Sequence, residues 1–366
     1  MTNTNPGDKK SAESYGSAEI KILPKSQMEI TVSVPTEIWE KFRKEALKNI
    51  NDSVSLDGFR KGLVPENILI AKVGEAALLQ EMSELSISKA YLDILMDKKI
   101  EAIGKPKITL TKLAAGNPLE FKIVTAVIPS FELPDCQALA KKEIAKSDPK
   151  EMEVEDKDVE EAILKIRKSK VSHDSHDHEK MSPEEHEKAI LDSLPEFNDD
   201  FVRSLGDFKD IEDFKKKVRD IVGQNKKDEA REKLRIRIAE SLVAASKIDL
   251  PDIMVESELN RTQSQFEIDL EKMGVKMDDY VKHAKKTLEE IRADWRPHAE
   301  KKAKIQIILN KISVAKNIKP TPAEIEAEAK HILDHYKDAD KERAYTYAES
   351  VLTNEKVFQW LEQSEK

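Results

Sequence analysis

Phe59, Arg60 and Lys61 stand in a row between Gly58 and Gly62, in a chain of 366 residues that holds only ten glycines. A guanidinium forks onto phosphate or carboxylate, an ammonium adds a compact charge, and a phenyl ring fills an apolar slot or stacks. The chemistry open to such a triplet is docking. Glycine permits positive φ or close backbone approach, and Pro65 pre-sets φ for the first turn of a following helix. Gly58, Gly62 and Pro65 therefore shape a short tip between two helices, and the tip carries the triplet. A plainer arrangement uses the same residues: Phe59 folds into the core, and the two cations keep a helix–helix turn soluble. Local chemistry leaves both open.

Other constellations point to less. His173, His176 and His178 lie beside Asp174 and Asp177, with His186 further on. Imidazoles and carboxylates suit zinc or nickel, yet the stretch reads equally as a solvated linker, and no metal is expected. His331 and His335 have the i, i+4 spacing of a helical metal pair, but Ile332 stands where a zinc peptidase motif has glutamate. Trp295, Arg296 and Pro297 read as a join between helices. The single cysteine, Cys136, rules out an internal disulfide or a thiolate cluster. No glycine-rich phosphate cradle is present, so neither ATP-driven cycling nor a cofactor is expected.

The elements that must hold the tip can be read from periodicity. "EIKILPKSQMEITVSVP" alternates as a strand pair does. "PTEIWEKFRKEALKNI" follows with Ile38, Phe42, Ala46 and Ile50 at helical spacing and Thr36 placed to cap. From Pro65 a helical pattern runs to about Ile103, with a break near Gly74 and stops at Gly104 and Pro106. "KITLTKL" and "PLEFKIVTAVIP" then resume strand character. This is an α+β module over 18–128, preceded by a polar, disordered tail over 1–17 with no secretory h-region.

After Ile128 the texture changes. Residues 129–170 read as an extended connector and a short helix, 171–188 as a polar His-rich linker, and 189–366 as helix after helix. Three glycines serve everything after residue 128, too few for a multi-hairpin β domain. The fold class is thus an α+β N-terminal domain followed by an all-α, multi-helix C-terminal domain with arm-like helices. Net charge is −9, which argues against a general nucleic-acid coating protein. From Ala18 to Ile128, however, 16 basic and 15 acidic residues leave +1. The first module can approach a polyanion; the rest would be repelled. No apolar run reaches the roughly 20 residues of a membrane helix, and a cytoplasmic protein is expected.

The sequence "GFRKGLVP" resembles the ribosome-docking signature of trigger factor, Gly-Phe-Arg-x-Gly-x-x-Pro. "LPEFNDDFVRSLGDFKDIEDFKKKVRDIV" and "KIDLPDIMVESELNR" are similar to later segments of that family, and the order agrees from Ile20 onward. The resemblance implies an N-terminal ribosome-binding domain and a helical cradle for nascent chains. It places Phe59, Arg60 and Lys61 against the large ribosomal subunit, protein and rRNA, at the polypeptide exit. A homodimer of the free protein is left open. The family usually carries an isomerase domain of the FK506-binding type before the C-terminal arms. Here about twenty polar residues take that place, so isomerase activity is not carried over and no catalytic residue is expected.

The expected function is therefore an ATP-independent, ribosome-associated chaperone. Candidate substrate-binding residues are Met254, Phe266, Met273, Met277, Tyr345, Tyr347, Phe358 and Trp360, since scattered apolar contacts hold unfolded chains without choosing a sequence. For each, ordinary helix core is the competing reading. Two other functions remain: a ribosome-independent holdase of similar helical architecture, and an unusual prolyl isomerase.

Overall fold

The computed structural model describes residues 14–171, 190–336 and 339–363. The His-rich stretch from His173 to His186 lies outside them. The chain forms two compact units: residues up to 132 with 246–307, and 133–245 with the residues from 308 on. Chain order alone does not reveal this grouping, which sets 246–307 apart from the rest of the C-terminal helical region.

The first unit is built on a four-stranded antiparallel sheet, in the order β1 (Ser17–Leu23), β2 (Gln27–Val34), β4 (Leu119–Val127), β3 (Ala102–Lys112). Register aligns Ile20, Ile30, Ile123 and Ile108 as one rung, and Ala18, Val32, Phe121 and Leu110 as the next. The central members of both rungs are fully buried. Each such side chain contributes on the order of 1.5–3 kcal/mol on leaving water. Helices α1 (Thr36–Trp39), α2 (Arg43–Ser53), α3 (Glu66–Val73) and α4 (Glu75–Lys98) supply the rest of this core through Trp39, Ala46, Ile50, Leu69, Leu78, Met82 and Ile94. Trp39 anchors it further by donating its indole N–H to the Asn117 carbonyl at 3.0 Å.

Several expectations change here. Gly104 and Pro106 do not stop a helix; they lie inside β3, where the register shifts between Ile103 and Lys107. A bulge tolerates a residue without an N–H and a glycine at φ 72°. α4 ends instead on Lys99, left-handed at φ 51°, which lets the Ile100 N–H reach back to the Leu95 carbonyl. Thr36 makes no cap hydrogen bond; Pro35 holds the N-cap position of α1. Packed structure is also present before residue 18. Ser14 and Tyr15 are buried, and the Tyr15 hydroxyl donates to Asp97 at 2.7 Å.

The second unit is helical: α5 (Cys136–Ile144), α6 (Asp156–Lys168), α7 (Asp199–Leu205), α8 (Ile211–Ala245), α12 (Pro322–His335) and α13 (Lys341–Glu362), with the end of α11 (Leu288–Lys316). The predicted extended connector is thus partly helix. Asp135 caps α5 by accepting the Ala138 N–H, and nothing in Cys136–Ile144 breaks a helix. α6, α7 and α8 share a small core of Val159, Ile163, Val202, Phe214 and Val218. A charged clamp ties α8 to α13: Arg235 meets Glu355 at 2.5 Å and Glu362 at 2.5 Å, and Arg231 meets Glu362 at 2.8 Å.

The remaining helices of the first unit are α9 (Asp252–Lys272), α10 (Met277–Ala284) and α11 up to Ile307. Val255, Leu259 and Ala299 bury together with Leu250 and Trp295 against them. The expected join at Trp295, Arg296 and Pro297 is absent: Pro297 sits within the continuous α11. Trp295 packs on Phe266, and Arg296 pairs with Glu256. Those contacts across to α9 hold α11 through its proline.

Candidate docking site

The tip between α2 and α3 consists of two consecutive four-residue turns. The Phe59 N–H donates to the Leu56 carbonyl at 3.1 Å, and the Leu63 N–H to the Arg60 carbonyl at 3.0 Å. Gly58 and Gly62 each occupy the third position of their turn, at φ 85° and 83°. A turn with positive φ at its third position asks for glycine there. That spacing explains the two glycines: Leu-Asp-Gly-Phe and Arg-Lys-Gly-Leu are the same turn made twice.

Three further contacts fix the tip to the scaffold, all from one residue. Asn51, in the last turn of α2, donates Nδ2–H to the Val64 carbonyl at 2.8 Å and accepts the Val64 N–H on Oδ1 at 3.1 Å. Its main-chain carbonyl accepts the Gly62 N–H at 3.1 Å. The side-chain amide stands in for a missing strand partner. Val64 is buried beneath it, and Arg43 bridges α2 to the start of α3 through Glu66 at 3.1 Å. The sequence reading passed over Asn51, since its signal is only an asparagine one turn before a glycine-bearing loop.

Held this way, Phe59, Arg60 and Lys61 all face solvent, Phe59 at 38% exposure. Among the described residues, neither Arg60 nor Lys61 has an ion-pair partner in the protein. The arrangement with Phe59 folded into the core does not occur. Leu63, given no role from sequence, is the most open apolar side chain of the tip at 68%. Beside the tip a depression of about 270 Å³ is lined by Lys44, Leu47, Lys48, Asn51, Gly62 and Val64, among others. The surface therefore offers two unpaired cations and two apolar side chains on a rigid mount.

The eight candidate substrate-binding residues fall into two sets. Met254, Phe266, Met273 and Met277 belong to the first unit; Tyr345, Tyr347, Phe358 and Trp360 belong to the second. Phe266 is packed edge-on against Tyr280 and Trp295, with centroids 4.9 and 5.3 Å away. Phe358 lies under Arg235 at 5.2 Å, Trp360 under Lys316 at 5.4 Å and Tyr345 under Lys341 at 5.9 Å. Met254 and Met277 are half-buried. Met273 and Tyr347 are the freely exposed ones. His331 and His335 stack edge-on at 4.6 Å. Among the described residues, no group of three or more His, Cys, Asp or Glu is placed to hold a metal, and no helix is long and apolar enough to cross a membrane.

Comparison with known proteins agrees with this architecture. The family profile described as "Bacterial trigger factor protein (TF)" matches residues 17–166, and its C-terminal counterpart matches 210–363. The trigger factor of Carboxydothermus hydrogenoformans is 24% identical over 401 aligned positions, covering 89% of this chain and 92% of that protein. That of Caldanaerobacter subterraneus subsp. tengcongensis is 22% identical over 394 positions, covering 87% and 90%. Both alignments are longer than the chain itself, so these relatives carry residues with no counterpart here. A solved structure of the trigger factor chaperone, described for promiscuous substrate recognition in folding and assembly, aligns with a TM-score of 0.52 at 17% identity. It covers 95% of this chain and 100% of that one, a likeness of fold. Among the described residues every strand precedes residue 128, so no β domain of the isomerase kind follows β4. With both terminal profiles matched in order and most of the chain covered between them, the chain belongs to the trigger factor family.

Proposed function

We propose that this protein is an ATP-independent chaperone of the cytoplasm that docks on the large ribosomal subunit beside the polypeptide exit and shields emerging chains. The observation that supports docking most directly is the pair of glycine turns. They hold Phe59, Arg60 and Lys61 outward, and among the described residues both cations lack internal partners. Arg60 and Lys61 meet rRNA phosphates or ribosomal-protein carboxylates; Phe59 and Leu63 fill apolar ground between them. Residues 18–128 are the docking domain. The helical segments after residue 189 supply the shielding surface, through exposed apolar side chains such as Met273 and Tyr347.

Mooring at the exit raises the local concentration of substrate, so individually weak contacts suffice. The protein works by binding. In a protease-coupled proline-peptide assay its rate stays at background. The decisive experiment is co-sedimentation of purified protein with ribosomes at moderate salt. Phe59→Ala, Arg60→Ala and Lys61→Ala combined leave the circular dichroism spectrum intact and remove the protein from the pellet. A triple variant that pellets like the parent overturns the docking assignment.

A further inference from the structure

The β1–β2 hairpin turns on Lys25 and Ser26, whose φ values are 59° and 44°. The loop between the paired Leu23 and Gln27 is Pro24, Lys25 and Ser26, and two successive positive-φ residues favour glycine or asparagine, because a Cβ is crowded there. Lysine followed by serine is a poor sequence for this bend, and the hairpin alone gives no reason for it. The reason lies on the connection leading into α9. The Lys25 and Ser26 N–H groups both donate to Asp249 Oδ2, at 2.6 and 3.3 Å. Ser26 Oγ–H donates to the Asp249 carbonyl at 2.6 Å, and Lys25 Nζ donates to both carboxylate oxygens of Asp252 at 2.9 Å. The polar ends of both side chains, the Lys25 ammonium and the Ser26 hydroxyl, are used on residues 249–252.

A second observation, on β3, points to the same place. Gly104 bulges at φ 72°, and a Cβ there would overlap Cδ1 of Ile253. The sheet thus leaves a notch at β3 for the residue that follows Asp252. A third concerns what else joins these parts. Among the described residues, no strand or helix of the first 127 residues shares an extended contact with α9, α10 or α11. α9 and α11 have their own core in Val255, Leu259, Ala299 and Trp295.

We propose that the hairpin tip and the Gly104 notch form a latch, which fastens the base of the α9–α11 arm to the N-terminal sheet and lets go of it reversibly. Its polar contacts lie in solvent: the Lys25 and Asp252 side chains are 58% and 49% exposed. The apolar side chain at the notch, Ile253, is itself 40% exposed. Ion pairs of this kind are weak and screened by salt, whereas the sheet core and the arm core are both buried. Opening therefore breaks the latch and neither core. The proposal does not rest on ribosome docking, since the docking tip lies between α2 and α3.

The test is electron–electron distance measurement in the full chain, with spin labels at Lys112→Cys on β3 and Glu271→Cys on α9, in a Cys136→Ser background. The parent gives one narrow distribution in low salt, which broadens at about 0.5 M salt. Asp249→Ala with Asp252→Ala gives the broad distribution already in low salt. Lys25→Met and Gly104→Val broaden it as well, by separate routes. Hydrogen exchange confirms folding: the amides of Ile30 and Ile123 keep their protection, while those of the first turn of α9 exchange at least about tenfold faster. A double variant whose narrow distribution and α9 protection match the parent overturns the latch.

Discussion

Asn51→Ala is the sharpest probe of how the docking tip is held. The substitution deletes two hydrogen bonds, Nδ2–H to the Val64 carbonyl at 2.8 Å and the Val64 N–H to Oδ1 at 3.1 Å. It keeps the Gly62 N–H bond to the residue 51 carbonyl. At about 0.5–1.5 kcal/mol net for each bond, the loss is about 1–3 kcal/mol. Alanine returns up to about 0.7 kcal/mol of helix propensity at this position. The balance, roughly 0.3–3 kcal/mol, falls on the tip and not on the sheet. If docking requires the mounted tip, ribosome affinity drops by up to that energy, which is between about 1.6-fold and 140-fold at about 1.4 kcal/mol per decade. Two measurements made together check this: hydrogen exchange at the Val64 amide, and co-sedimentation titrated with ribosomes. Asn49→Ala is the control, because Asn49 donates its side-chain hydrogen bond to Glu81 of α4, at 2.8 Å, and not to the tip. Faster exchange at Val64 with unchanged ribosome affinity refutes the reasoning, since it separates the mount from the function.

The two glycines of the tip are expected to differ. A Cβ at Gly58 meets nothing, whereas one at Gly62 comes to 2.8 Å from Asp52 Oδ1. Both alanine variants bear the left-handed strain of about 1–2 kcal/mol, and Gly62→Ala lowers ribosome affinity further than Gly58→Ala in the same pelleting titration. In the second unit, hydrogen bonding to Arg235 holds the Glu355 carboxyl down to about 2, from an ordinary value of 4.5. A depressed carboxylate stabilises the fold above its unfolded value and loses that contribution as pH falls through the folded one. The α8–α13 pairing therefore weakens between about pH 4.5 and 2. Glu355→Gln flattens that part of the pH-melting profile; a variant with the parent's acid limb shows that other carboxylates carry it.

What could be read from the sequence follows a physical divide. The alternation in β1 and β2 and the spacing of Ala46 and Ile50 are local, and all three elements form where periodicity puts them. The paired glycines were legible because positive φ has few suppliers. Gly104 and Pro106 misled because the same residues that end helices also make bulges, and only the pairing partner, β4, decides between them. α5 was missed for want of length and periodicity, although Asp135 before a run of good helix formers was a usable signal. The grouping of 246–307 with the sheet has no local signal, since it depends on contacts such as Lys25 to Asp252 across more than two hundred residues.

The same divide explains how a member of this family stands without the isomerase domain. The expected insertion point falls between α6 and α7, in the interval between the two family profiles, which end and begin at 166 and 210. On its near side Arg167 closes α6 by donating from Nε and Nη2 to the Pro195 carbonyl, at 3.0 and 2.7 Å. On its far side Val202 of α7 and Phe214 and Val218 of α8 bury against Val159 and Ile163 of α6. Lys226 and Arg219 of α8 pair with Asp158 and Asp156, at the start of α6. All of these contacts join the chain before residue 172 to the chain after residue 189. The entropy of closing a connection grows only as the logarithm of its length. A clamp made on both sides of the connection thus holds the α6–α8 core without help from what runs between them.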